Sequence, residues 1–464
     1  MMEQKRRGLG MLSLGAACLA AFALVVVAMK LQISSNRYVS TGDLLAELAD
    51  SEILDDPTPA ARSWPQWMGP TRNGLVSMPE LPRRWSGRGP RVHWRKTSDE
   101  TYASMAVDQG RVFTLLAEEG RESVVCWDLA SGEERWKHPF EPGQTFQYGG
   151  PRATPALAAG RVYGFSQAGV LVCLEASNGQ LVWSRDLVKE LGAVPGRWGF
   201  ACSPLVEEGK VYICLGGKAG RCLAALDASD GATVWTTEDD PVGYSSPMAT
   251  TLGGVRQVLF FTGRRLLGVS RDEGKLLWEY PWPTEFEVNA ATPVVIRTRN
   301  AGGEGVYVFI SSGYGKGCAL IKVEVREGSQ CFRARRVYES DALCCHFSTP
   351  VRRGAYLYGL DEKRDLTCLD LRTGEAVWRF SRDEDAEGLR GVGYKKGSLV
   401  RVDDLLLVLG EDGKLALVEA TPDAYRELTA IRPFRERCWT LPVLAEGRLL
   451  IRDWKRVQCL DLRP

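Results

Sequence analysis

Chemistry leaves recognisable residue patterns, and this chain carries few of them. Its 464 residues include three histidines, His93, His138 and His346, each isolated from the others and from any nucleophile pattern. Thirteen cysteines include no C-x-x-C pair, so no zinc site of closely spaced His and Cys is expected. No G-x-S-x-G elbow supports hydrolysis. The adjacent Cys344-Cys345 is explained by a small, apolar strand end. What remains is a set suited to recognition: Tyr148, Arg152, Arg197, Trp198, Tyr244, Asn289, His346, Phe347, Tyr394, Arg437 and Trp439. These aromatic, basic and polar residues lie in segments joining one repeat unit to the next, where Glu285 and Glu287 are among the few carboxylates. Tyr, Trp and Arg are the side chains that most often anchor protein interfaces. Tyr244, Phe347, Trp439 and Arg152 also share one offset, three residues before the proline of their unit, and are expected to ring the mouth of a funnel.

The elements that must position them form a repeat. Five segments end alike: DLASGEERW, EASNGQLVW, DASDGATVW, SRDEGKLLW and DLRTGEAVW, closing on Trp136, Trp183, Trp235, Trp278 and Trp378 with glycine four residues before each. Units open on Thr154-Pro155, Ser203-Pro204, Ser246-Pro247, Thr292-Pro293 and Thr349-Pro350. Within the second unit, alternating apolar runs at 156–158, 161–165, 170–174 and 180–183 read as four antiparallel strands between glycine turns. A sheet this small cannot bury both faces alone, and radial stacking against like sheets solves that. Cys126, Cys173, Cys368 and Cys459 recur at one position of the third strand, so they are packing residues.

Trp278 and Trp378 are two units apart, the intervening tryptophan being replaced near Val337-Tyr338. A degenerate unit follows at 397–428. The last unit stops after Cys459-Leu460-Asp461, short of its final strand, and Arg91-Val92-His93-Trp94 can supply it. Pairing that strand into the last sheet closes the ring and removes open edges. The expected fold is all-β: an eight-bladed propeller of four-stranded antiparallel blades at 89–464, preceded by one N-terminal transmembrane helix. Seven blades would result if 397–428 were not a unit.

Residues 9–29 form an uncharged, mostly apolar run after Lys5-Arg6-Arg7. That is long enough to span a bilayer, and the basic flank places the body on the exported side. An uncleaved anchor at 1–31 fits best; cleavage near Ala21-Phe22-Ala23 and lipidation of Cys18 are the alternatives, and all three export the body. Residues 32–63 are expected to be a linker with a short acidic helix near Ser40–Asp56, and 64–88 a lead-in. The balance of 59 basic and 58 acidic residues gives no reason to expect nucleic acid.

The repeated sentence resembles the pyrroloquinoline-quinone (PQQ) type propeller repeat, and Trp64-Pro65-Gln66-Trp67-Met68-Gly69-Pro70-Thr71-Arg72-Asn73-Gly74 resembles the opening of exported PQQ-like repeat proteins. Two branches share that fold. One is the BamB-like outer-membrane assembly propellers, non-catalytic scaffolds that bind a partner protein. The other is the quinoprotein alcohol dehydrogenases, which hold PQQ and calcium on the axis and carry a vicinal disulfide that Cys344-Cys345 could imitate. No carboxylate and amide cluster matches the dehydrogenase pattern here. The expectation is therefore a monomeric, membrane-anchored scaffold in the cell envelope, binding a protein or extended peptide without cofactor or metal, with a PQQ/calcium dehydrogenase as the alternative.

Overall fold

The computed structural model describes residues 39–40, 42–87, 89–141, 143–325, 331–363, 365–380 and 393–463. The apolar run at 9–29 lies outside them; among the described residues, no helix is long and apolar enough to cross a membrane.

Alternating runs between glycine turns form eight antiparallel sheets arranged as the blades of a propeller. Blades 1 to 7 begin with the strands Met105–Asp108, Ala156–Ala158, Leu205–Glu207, Met248–Leu252, Val294–Asn300, Val351–Arg353 and Ser398–Val402. Blade 8 is composite. Val443–Ala445, Arg448–Arg452 and Arg456–Asp461 are completed by Arg91–Thr97, with Cys459 opposite Trp94. The expected closure is present, and 397–428 does supply a blade.

The repeated glycine and tryptophan act across blades. In each turn the glycine has positive φ, between +69° and +75°, which glycine adopts at little steric cost. A Cβ on Gly179 would lie 2.6 Å from the Trp136 ring, and one on Gly231 would lie 2.8 Å from Trp183. The indole N–H then donates to a carbonyl of the following blade, Trp136 to Ala176 at 3.1 Å and Trp183 to Ala228 at 3.1 Å. Tyr338 takes the tryptophan's place in blade 5, packed against Gly374. Cys126, Cys173, Cys368 and Cys459 each pair across the strands with a tryptophan. A small residue opposite an indole keeps the layer at native density. Burial raises these thiols, Cys173 to about 11 and the other three to about 12.

The Ser/Thr-Pro openings staple neighbouring blades near the axis. The N–H of Thr154 donates to Ser203 Oγ, that of Ser203 to Ser246 Oγ, and that of Thr292 to Thr349 Oγ1, each at 2.9 Å.

The N-terminal part does not stand clear of the body as a spacer would. Val39–Ser40 and Glu52–Ile53 add strands to both edges of blade 5. Helix Gly42–Ala49 buries Leu44 and Leu48 in a cluster with Tyr307, Tyr338 and Leu369. The lead-in then enters the axial channel. Trp64 pairs with Val107 of blade 1, and Pro65 O accepts from Leu157 of blade 2. Arg72 donates to Ser203 O and Pro204 O at the start of blade 3. Leu75–Val76 runs parallel to Ser398–Val402 of blade 7. A segment can reach the inner strands of so many blades only from the centre.

Candidate functional site

The repeat places one residue per blade around the axis. Counting three back from the proline, or from the residue in its place, gives Tyr102, Arg152, Ala201, Tyr244, Ala290, Phe347, Lys396 and Trp439 for blades 1 to 8. All eight line a single cavity of about 280 Å³. Six of these positions are large or long side chains; Ala201 and Ala290 leave room on the side of blades 3 and 5. Trp67 of the lead-in also lines the cavity. Because its segment occupies the channel, it closes the inner end, held by an indole bond to Thr292 Oγ1 at 2.9 Å.

Of the residues expected at the funnel, Tyr148, Arg152, Trp198, Tyr244, His346, Phe347 and Trp439 line the cavity. Arg437 stacks on Trp439, its guanidinium carbon 4.3 Å from the ring centroid, and Arg197 lies over Trp198 at 5.5 Å. Asn289 and Tyr394 are elsewhere. Asn289 is fully buried, its amide donating to Thr262 O and Trp282 O and its oxygen accepting from Ser312. It ties together the loops of blades 4 and 5. Tyr394 is also buried, its hydroxyl 2.8 Å from both Tyr425 and Glu427 beneath the Lys414 ammonium, so it belongs to the packing of blade 7.

The offset could have found Tyr102, Ala201, Ala290 and Lys396, had it been extended to blades without an aromatic or a proline there. Tyr314 had no such signal, since it sits in the hairpin turn between Gly303–Ser312 and Gly317–Val325. Neither did Trp67, which lies outside the repeat.

The rings form a continuous track across the face. Centroids of Phe286 and Tyr314 are 5.0 Å apart, Tyr314 and His346 4.5 Å, His346 and Phe347 5.2 Å, and Phe347 and Trp439 5.1 Å. Such offset and edge contacts suit aromatic quadrupoles. Two carboxylates brace the track. Glu411 accepts from the Trp439 indole at 2.8 Å, and Glu362 holds His346 Nδ1 at 3.0 Å. Burial opposes ionisation of Glu362, but bonds from His346 and the N–H groups of Tyr314 and Gly315 overcome it and lower its pKa to about 2.

No Asp or Glu lines the cavity. Arg152, Arg197, Lys396 and Arg437 form no ion pair among the described residues. Arg152 is instead held by Gly150 O, Gln147 O, Tyr148 O and Gln167 Oε1, and burial lowers its pKa. Behind Gln167, Glu122 accepts the Gln167 N–H at 3.0 Å, and burial pushes its carboxyl up to about 7.

This donor set does not fit a quinone and calcium centre. Calcium takes six to eight oxygens, usually with carboxylates among them, and the lining offers only serine and tyrosine hydroxyls. Cys344 and Cys345 are buried and do not line the cavity. Their N–H groups bond Asp361 and Ser311. Among the described residues, no group of three or more His, Cys, Asp or Glu could hold a metal ion.

Comparison with known proteins gives a consistent picture of the repeat. The profile of the family described as "Outer membrane protein assembly factor BamB" matches residues 120–380. The protein of that name from Salmonella typhimurium is 28% identical over 312 residues, 64% of this chain and 71% of the relative. The crystal structure of BamB from Moraxella catarrhalis superposes with a TM-score of 0.52 at 14% identity, covering 80% of this chain and 97% of that one. Quinohemoprotein alcohol dehydrogenase from Comamonas testosteroni superposes at 0.62 and 13% identity, covering 91% and 82%. At such identity these superpositions establish the fold alone.

Proposed function

The chain belongs to the family described as outer membrane protein assembly factor BamB, and from that premise we propose that it is a non-catalytic scaffold that docks a protein in the cell envelope. Its propeller is carried on the exported side of a membrane, tethered through residues 9–29. The docking surface is the loop face around the axial cavity. One observation carries the reading: the position that every blade directs at the axis holds aromatic, cationic or small residues and never a carboxylate. Catalysis at the axis through PQQ and calcium would need oxygen ligands and a carboxylate base there, whereas recognition needs rigid, exposed aromatic and guanidinium groups.

The test compares partners captured from envelope membranes by the wild-type chain and by Trp439→Ala/Phe347→Ala. A partner retained by the first and lost by the second is expected; identical partner sets would overturn the assignment of the face. Incubation with PQQ and calcium checks the alternative. Dye-linked alcohol oxidation with a bound chromophore would replace the scaffold reading with a dehydrogenase.

A further inference from the structure

We propose that the axial cavity receives the C-terminal end of a polypeptide, with an aromatic last residue inside the ring and the terminal carboxylate against the cationic rim. This deepens the scaffold reading and rests on it.

Shape comes first. Trp67 closes the inner end, so the cavity accepts a chain end and cannot pass a chain through. At about 280 Å³ it lies at the lower limit of ligand pockets, the scale of one large side chain and its carboxylate.

Charge then selects the group at that end. Arg197, Lys396 and Arg437 border the site with no carboxylate in the lining, Arg152 being already held by backbone oxygens and Gln167. The Arg437 guanidinium lies over the rings of Trp439 at 4.3 Å, Trp454 at 5.1 Å and Tyr148 at 5.5 Å. A ligand cation would compete with guanidiniums already seated on these rings. A carboxylate instead meets N–H edges that lack an anionic partner, the arrangement in which charge-assisted bonds are strongest.

The track argues for a polypeptide over a free aromatic acid. It runs outward from the cavity through His346 and Tyr314 to Phe286, and the last two are 37% and 42% exposed. A single acid would leave this line of rings uncovered, while the residues preceding a chain end would lie along it.

Calorimetric titration of the full chain in detergent tests this with four probes: acetyl-Gly-Ser-Gly-Phe as free acid, the same peptide as C-terminal amide, acetyl-Gly-Ser-Gly-Ala as free acid, and phenylacetate. The first should bind saturably and each of the others at least about tenfold more weakly, roughly the worth of one charged hydrogen bond or one buried ring. In Arg437→Met/Lys396→Met, acid and amide should bind alike while amide affinity stays unchanged, a result that loss of folding would not produce. Equal binding of acid and amide to the wild type, equal binding of phenylacetate, or no saturable binding of the acid peptide would each overturn the proposal. Photo-crosslinking through position 347 in cells separates this failure from that of the scaffold reading. A discrete protein adduct without the peptide preference removes the chain-end inference alone; no adduct removes both.

Discussion

Phe347 and Trp439 belong to blades 6 and 8, yet their ring centroids lie 5.1 Å apart, past the intervening blade 7. They occupy the same register position, with Lys396 of the intervening blade between them in the ring. The contact follows from the repeat: eightfold placement of one position turns a sequence offset into a ring, and large side chains there reach past a neighbouring blade to touch.

The alanines of that ring set its open side. Ala290→Trp should fill the cavity and weaken binding of an aromatic-ended peptide at least about tenfold. Because the new side chain enters a cavity and not a packed core, stability should change by less than about 1 kcal/mol. Calorimetry and thermal unfolding on one sample measure both; full binding by this variant would place the ligand elsewhere.

Packing between blades predicts a contrast between two glycines of similar φ. Gly179 (+73°) faces Trp136, whereas a Cβ on Gly160 (+76°) would meet nothing within 4 Å. Gly160→Ala should cost about 1 kcal/mol, the strain of the left-handed conformation alone. Gly179→Ala should cost about 2–4 kcal/mol, because overpacking adds to the same strain. Urea unfolding reads both, and equal losses would refute the interblade role of the repeated glycine.

Glu122 gives a pH signature. Its carboxyl titrates near 7 in the folded chain, raised by burial from an ordinary 4.5. Between those values the folded state therefore binds more protons than the unfolded state, so stability should fall as pH rises through that window and stay lowered above it. Glu122→Gln keeps an acceptor for the Gln167 N–H and should remove this part of the slope, making the variant the more stable form at pH 8. Unfolding curves at pH 5 and pH 8 decide it.

Thiol labelling checks the cysteine positions. Cys126, Cys173, Cys368 and Cys459 are buried and hold their protons well above neutral pH, and the thiolate is the reactive form. They should resist alkylation at pH 8 until the protein is unfolded, while the exposed Cys331 is modified in the native state. Rapid native labelling of Cys173 would contradict its place opposite Trp183.

Much of this was legible in sequence because the physics is periodic. Gly-x-x-x-Trp encodes a turn with positive φ, an indole and the blade against which it packs, so blade number and the Trp94 closure could be read from spacing. Of the seven expected funnel residues that line the cavity, Arg152, Tyr244, Phe347 and Trp439 do so for the same reason, while Tyr148, Trp198 and His346 come from the adjoining loops. Asn289 and Tyr394 misled because residue type and loop position do not reveal which polar groups a neighbouring loop will claim. Thr262 O and Trp282 O take the Asn289 amide, and Glu427 takes the Tyr394 hydroxyl. The lead-in was harder still. Nothing periodic marks Trp67 or Arg72, and their places depend on contacts with blades far along the chain.

Docking of a protein on this face is the property on which the proposed function rests. Photo-crosslinking in cells tests it most directly, with a benzophenone amino acid replacing Phe347 and, as control, the exposed Glu208 in the turn between Leu205–Glu207 and Lys210–Cys214. A discrete polypeptide adduct is expected at position 347 and none at 208. The same adducts at both positions, or none at 347, would contradict it.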